Sequence, residues 1–180
     1  MPLEVADDLV GFDCGEESLN HWLQRTAHNN HKSGASRVFT IKEKGQVIGY
    51  YCLAAGSIAR VAAPKKLIRN SPDPLPIILL GRLAIDNRYK GQGLGGFLLR
   101  DAILRSISLT QNLGVVALVA HALNQSAKEF YLQYGFLPLP PLLQKCFAAW
   151  WEFFLKRFEI FHSIGAKCSK VVAQLAISDR

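Results

Sequence analysis

Paired cysteines are missing from this sequence. Cys14, Cys52, Cys146 and Cys168 lie far apart and form no CxxC. That argues against zinc and disulfide frameworks, so reduced thiols and no metal are expected. A basic leader is missing too: Met1 to Asp8 carries acids only, which speaks against a secretory signal and for a cytoplasmic protein. Long apolar runs are absent. Stretches such as Ile77 to Leu80 and Val115 to Ala120 are far too short to span a bilayer. No GxxxxGKS or GxxxxGKT occurs, which removes the P-loop, and no internal repeat is visible.

What remains is a chain of 180 residues, 49% hydrophobic and 19% charged, which fits one globular domain with a substantial core. Its charge of +7 is unevenly spread. Residues 1 to 31 hold six acids against the single base Arg25, whereas Lys32 to Arg105 hold thirteen bases against four acids. A basic middle behind an acidic front points to a polyanionic ligand or partner, or else to a basic surface with no dedicated one.

Along the chain, Gly15 to Leu23 places Leu19, Trp22 and Leu23 on one helical face with acids at its start. Arg37 to Glu43 and Gln46 to Ala55 read as strands joined by the turn Lys44-Gly45. Residues 60 to 76 carry four prolines and four bases and read as a long surface loop. Pro76 to Ile85 reads as a buried strand, Leu94 to Asn112 as a helix, Val115 to Ala120 as a strand and Asn124 to Tyr134 as a short helix closed by Gly135. Strand, loop, helix, strand, helix predicts an α/β fold.

The segment Arg88-Tyr-Lys-Gly91-Gln92-Gly93-Leu94-Gly95-Gly96 stands between a strand and a long helix. Closely spaced glycines let backbone amides converge, and the following helix adds its positive end. With Arg88 and Lys90 this makes a cradle for a pyrophosphate. Gly91, Gly93 and Gly96 also satisfy GxGxxG. A dinucleotide-binding turn, however, begins directly after its strand and is followed about twenty residues on by an acid for the ribose. Here Asp86 to Gly91 intervene, and Val115 to Ala120 runs into His121-Ala122-Leu123.

Arg88-x-x-Gly91-x-Gly93 resembles the Q/R-x-x-G-x-G/A motif of GNAT acetyltransferases, whose backbone amides hold the coenzyme A pyrophosphate. Leu80-Gly-Arg-Leu-Ala-Ile-Asp resembles the family's fourth strand, which splays from its neighbour and pairs with the pantetheine arm. The resemblance implies a central mixed sheet with flanking helices and acetyl-CoA as cosubstrate. It gives the coenzyme contacts to Leu83, Ile85, Arg88, Gly91, Gln92, Gly93, Leu94, Gly95 and Gly96, with the Leu83 amide polarising the thioester carbonyl. Asn124 to Phe136 resembles the family helix ending in FY-x-x-x-GF. There Tyr131 takes the place of the general acid and Asn124 that of a side chain on the coenzyme arm. Tyr134, one turn later, shares a face with Tyr131, so spacing alone does not separate them. No general base stands out: His121, at a strand end, is expected to be packed or capped, and His21, His28, His31 and His162 to lie on the surface.

A narrower likeness covers residues 9 to 138. Phe12-Asp-Cys-Gly-Glu-Glu-Ser-Leu-Asn-His-Trp-Leu, Ser33-Gly-Ala-Ser-Arg-Val-Phe, Gly49-Tyr-Tyr-Cys-Leu-Ala-Ala-Gly-Ser, Pro72-Asp-Pro-Leu-Pro and Leu98-Leu-Arg-Asp-Ala are similar, in this order, to GNAT toxins of type II toxin–antitoxin modules. Such enzymes acetylate the α-amine of aminoacyl-tRNA and block translation. They are usually homodimers, neutralised by a ribbon–helix–helix antitoxin. The resemblance therefore implies an aminoacyl-tRNA substrate, with Arg82, Lys65 and Lys66 as candidate phosphate contacts. The alternatives are a GNAT enzyme acting on a small amine or a protein N-terminus, and a GNAT-fold binding protein without catalysis.

Beyond Pro138 the chain departs from that group, so residues 1–138 are expected to form the acetyltransferase domain and 139–180 an atypical aromatic-rich tail. Gln144 to Phe161 holds seven Phe or Trp residues, with Lys145, Glu152, Lys156 and Glu159 at 7, 4 and 3 spacing, which predicts a helix. A helix there, in place of the family's closing strand, leaves the edge of the Val115 to Ala120 strand open and predicts low stability and weak transfer.

Overall fold

The computed structural model describes residues 1–68, 71–139 and 146–149. Among them, β1 (Arg37–Glu43), β2 (Gln46–Ile58), β3 (Leu75–Ile85), β4 (Leu118–His121), β5 (Leu137–Pro138) and β6 (Cys146–Ala149) form one six-stranded sheet in the order β1-β2-β3-β4-β6-β5. The hairpin β1 (Arg37–Glu43) and β2 (Gln46–Ile58) is antiparallel and turns at Lys44-Gly45, where both residues take positive φ, 51° and 80°. That conformation suits the right-handed twist of a two-residue hairpin. β3 (Leu75–Ile85) and β4 (Leu118–His121) are parallel, which requires a crossover, supplied by the helix α4 (Leu94–Thr110). A sheet containing antiparallel β1–β2 and β4–β6 pairs is no doubly wound dinucleotide fold.

By its internal contacts the chain divides into two compact units, both of which draw on β2, β3 and α4. The first holds residues 1–53 and 82–102. Its core joins Leu3, Phe12, Trp22, Leu23, Val38, Val47, Tyr50 and Ala84. The helix α1 (Glu17–Arg25) buries Trp22 and Leu23 there, with Glu17 in its first turn and Arg25 in its last, each matched to the helix dipole. Burying a side chain such as Leu23 fully contributes about 1.5–3 kcal/mol. The second unit, residues 54–81 and 103–157 as far as described, packs Ile58, Leu75, Ile77, Ala117, Val119, Leu139 and Ala148. Within it the loop after β2 folds back through Arg60, whose guanidinium donates to the carbonyls of Ser71 (2.6 Å) and Ile68 (3.1 Å), flanking the short helix α3 (Lys65–Ile68).

One expectation needs correction, and one charge contact joins the acidic front to the basic middle: Lys42 bonds Glu4 at 3.1 Å and Asp7 at 2.5 Å. Burial opposes its charge, yet these carboxylates hold the Lys42 pKa above its ordinary value. The corrected expectation is the helix over Gln144 to Phe161, which fails where it is described: Cys146–Ala149 is the strand β6, antiparallel to β4 from Leu118↔Ala149 to His121↔Cys146. β6 pairs on its other side with β5 (Leu137–Pro138), so the β4 edge is not open. The reason is the unsatisfied row of amides and carbonyls along β4, which a short apolar segment satisfies better as a strand than as a helix. The rest of the expected helix lies outside the described residues.

The helix α2 (Ala27–Ser33) was not visible in the sequence, because Ala27 is its one buried residue and no apolar period exists to read. Its His31 is not a simple surface residue. The Nδ1 atom accepts the Val38 amide of β1 at 3.0 Å, which requires that nitrogen to be unprotonated. Burial, then the charges of Arg37 and His28, lower the His31 pKa below its ordinary 6.5. A depressed pKa means the unfolded chain binds the proton first. The contribution to stability is therefore complete above pH 6.5 and lost as pH falls through the folded value. His31→Asn keeps an acceptor that does not titrate, so melting temperatures followed by circular dichroism should fall less steeply from about pH 7 to pH 5 than in the parent. Equal slopes would remove His31 from the acid response.

Candidate active site

β3 changes its bonding side partway along. The Ile78 amide donates to Ala117 of β4's approach at 3.0 Å, whereas the Asp86 amide donates to Ile48 of β2 at 2.9 Å. In a regular strand, residues an even number apart direct their amides to the same side. An irregularity therefore lies between these two residues. Beyond it the pleat is regular: Arg82 stacks on Trp22 with 4.3 Å to the ring centroid, Ala84 packs in the same core, and Asp86 accepts the Asp13 amide at 3.2 Å. The break thus falls between Ile78 and Arg82. Counting back from Asp86, the amides of Leu83 and Ile85 point away from β2. On that side the β3–β4 ladder has its last described pair at Leu80↔Ala120.

After β3 comes a single 3-10 turn, Asn87–Tyr89, then Gly91 and Gly93 at φ of 79° and 80°. The Phe97 amide bonds the Gly93 carbonyl at 3.1 Å, which makes Gly93 the residue from which α4 starts. The amides of Leu94, Gly95 and Gly96 then have no acceptor within the helix, and two of the three carry no Cβ. Gly91, Gln92 and Gly93 are exposed, and a Cβ built on Gly91 meets nothing within 4 Å. An open helix N-terminus fronted by two left-handed glycines fits a pyrophosphate through backbone amides.

The basic side chains do not take the places the sequence suggested. Arg88 is turned back onto Asp86 in a two-pronged pair, Nε–Oδ1 2.9 Å and Nη2–Oδ2 2.9 Å. These bonds hold the nearly fully buried Asp86 carboxyl at a pKa of about 2. Lys90 donates to the Cys14 carbonyl at 2.7 Å. The positive character of the cradle therefore comes from the helix end and its amides. Burial pushes the Cys14 thiol up, so it is no thiolate nucleophile.

In the second unit, Asn124 caps the helix α5 (Gln125–Gln133), its Oδ1 accepting the Ala127 amide at 2.9 Å. Tyr131 is buried to 5% exposure, with ring contacts to Phe130 at 5.4 Å and Phe136 at 5.3 Å. Tyr134 is only half-buried and tilts against Phe130 at 4.9 Å. His121, expected to be packed, is exposed at the end of β4. Lys65 is exposed, and the Lys66 side chain lies outside what is described. Among the described residues no cluster of His, Cys, Asp or Glu is arranged to hold a metal, and no helix is long and apolar enough to cross a membrane.

Sequence reasoning missed Asp13, Glu43 and Asn87. The Asp13 carboxylate accepts from the Gly15 amide (2.8 Å), Asn20 Nδ2 (2.7 Å) and Asn87 Nδ2 (3.2 Å). The Gly15 bond first, then those of Asn20 and Asn87, lowers its pKa. No spacing signal links positions 13 and 87; the only hint was the Phe12-Asp-Cys-Gly block itself.

The chain is similar to known proteins. The tRNA-acetylating toxin of Mycobacterium tuberculosis is 45% identical over 139 residues, 76% of this chain and 84% of the toxin. The structure of AtaT complexed with acetyl-methionyl-tRNAfMet aligns at a TM-score of 0.81 and 32% identity, over 88% of this chain and 97% of that one. A mutant AtaT toxin bound to the C-terminus of the antitoxin AtaR and acetyl-CoA aligns at 0.72 and 32% identity, over 92% and 94%. The Acetyltransferase (GNAT) domain is matched by residues 34–138. With that domain spanning the hairpin, the glycine-rich turn and α5, the chain belongs to the GNAT acetyltransferase family.

Proposed function

We propose that this protein transfers acetyl from acetyl-CoA to the α-amine of aminoacyl-tRNA, acting as the toxin of a toxin–antitoxin pair. The observation that carries the reading is the glycine-fronted N-terminus of α4 behind Gly91 and Gly93, in a chain 45% identical to a tRNA-acetylating toxin. Acetyl-CoA supplies the acetyl group as an activated thioester. The amides of Leu94, Gly95 and Gly96 bind its pyrophosphate, helped by the backbone from Arg88 through Gln92. Leu83 and Ile85 offer their strand-edge amides to the pantetheine arm, and the Leu83 amide stabilises charge developing on the carbonyl oxygen. Asn124 contacts the arm. Tyr131 gives its proton to the departing thiolate, while the attacking amine releases one to water. An aminoacyl α-amine is less basic than a lysine amine, so a dedicated base is not required. A charged-tRNA substrate makes the site of action cytoplasmic. A ribbon–helix–helix antitoxin and a homodimer complete the proposal.

Labelled acetyl-CoA should pass its label to charged tRNA and not to deacylated tRNA. Lys65→Glu, Lys66→Glu and Arg82→Glu should each weaken tRNA binding and lower the salt slope by about one, with acetyl-CoA affinity unchanged. Arg82→Glu also removes the stacking on Trp22, so the exposed Lys65 gives the cleaner reading. Rapid labelling of spermidine with none on charged tRNA would favour the small-amine enzyme instead.

A further inference from the structure

We propose that the Asp13–Cys14–Gly15 turn is a positioning element for the coenzyme loop, setting acetyl-CoA affinity without touching the ligand. The inference rests on the coenzyme reading above. Four consecutive side chains lead into Gly91, and the protein holds every one. Asn87 is gripped twice by Asp13: its amide donates to the Asp13 carbonyl at 2.7 Å and its Nδ2 to the carboxylate at 3.2 Å. Arg88 is paired with Asp86, the Tyr89 hydroxyl donates to Glu43, and Lys90 donates to the Cys14 carbonyl at 2.7 Å.

Asn87, Arg88 and Lys90 are exposed, and exposed turns are ordinarily mobile. This one is fastened along its whole length. The fastening is itself anchored, because Asp13 accepts from Asn20 of α1 and the Asp13 amide donates to Asp86. The shape of the N-terminal turn is fitted to its partner. Gly15 sits at φ +81°, and a Cβ there would lie 3.4 Å from Asn87 Oδ1 and 3.8 Å from Lys90 Nζ. A side chain at position 15 would be strained by that φ, and its Cβ would stand in contact with the two residues the turn holds.

Lys90 directly precedes Gly91, so the anchored stretch ends where the left-handed glycines begin. A ligand bound through backbone amides is sensitive to how often those amides converge. Apparent affinity falls in proportion to the fraction of time the loop is in its binding conformation. Releasing Asn87 lowers that fraction and leaves chemistry at saturation alone, since Asp13 and Asn87 take no part in proton transfer.

The test is a double-mutant cycle with Asp13→Ala and Asn87→Ala. Acetyl-CoA Kd is measured by calorimetry, and KM and kcat at saturating charged tRNA. Each single variant should raise Kd and the KM for acetyl-CoA about five- to tenfold, with kcat within about twofold, and the double should bind no worse than the weaker single. Leu23→Ala, which damages the core behind α1, serves as the stability control and should lower the melting temperature with Kd unchanged. Cycle variants that lose thermal stability yet bind acetyl-CoA like the parent overturn the proposal, as do additive losses in the double. If the parent protein itself binds no acetyl-CoA, the coenzyme reading fails and takes the positioning role with it.

Discussion

Gly93→Asp is expected to abolish acetyl-CoA binding in calorimetric titration while the circular dichroism spectrum stays native. Three effects act together at this position. Gly93 takes φ of 80°, where a Cβ costs about 1–2 kcal/mol. Its carbonyl opens α4, so the new side chain stands at the helix end where Leu94, Gly95 and Gly96 present their amides. An aspartate there is itself a good helix cap, so it competes for those amides and repels a pyrophosphate. Gly93→Asn separates the causes, because asparagine tolerates the left-handed conformation and carries no charge. It should bind acetyl-CoA measurably but more weakly than the parent. An Asp variant with parental affinity would remove the turn from the coenzyme site.

The turn was legible because backbone requirements write themselves into sequence as glycine. Gly91, Gly93 and the start of α4 fall where the motif places them, and the hairpin turned where Lys44-Gly45 predicted. Apolar periodicity gave α1, and the stop at Gly135 gave α5, to within two residues of their observed ends. What stayed hidden was decided by partners distant in sequence. β6 forms because β4 offers an unpaired edge, and aromatic content with a charge spacing cannot report that. Arg88 and Lys90 look like phosphate ligands from composition, yet a buried carboxylate at Asp86 and a carbonyl at Cys14 claim them first. The change of bonding side along β3 is invisible too, since Leu80-Gly-Arg-Leu carries no mark of an inserted residue beyond its glycine. His31 illustrates the same limit: only the fold brings the Val38 amide to its ring.

Tyr131→Phe should lower turnover by about 10²-fold or more, the scale of a lost general acid, or about 2.7 kcal/mol of barrier. Coenzyme affinity and folding should be nearly unchanged, because the ring supplies the packing. It is 5% exposed and lies between Phe130 and Phe136, contacts that phenylalanine repeats. The phenol hydroxyl is the one group that Tyr131→Phe removes, so the loss reports directly on proton donation to the departing thiolate. Tyr134 provides the internal control. It lies one turn along α5's end, is half-buried and packs on the same Phe130, so Tyr134→Phe perturbs similar surroundings without removing the proposed proton. Single-turnover rates with charged tRNA should fall for Tyr131→Phe and stay within about threefold of the parent for Tyr134→Phe, since a loss confined to packing carries no proton-transfer penalty. The reverse pattern would move the general acid to Tyr134. Equal modest losses would mean that neither hydroxyl protonates the leaving group and that water does.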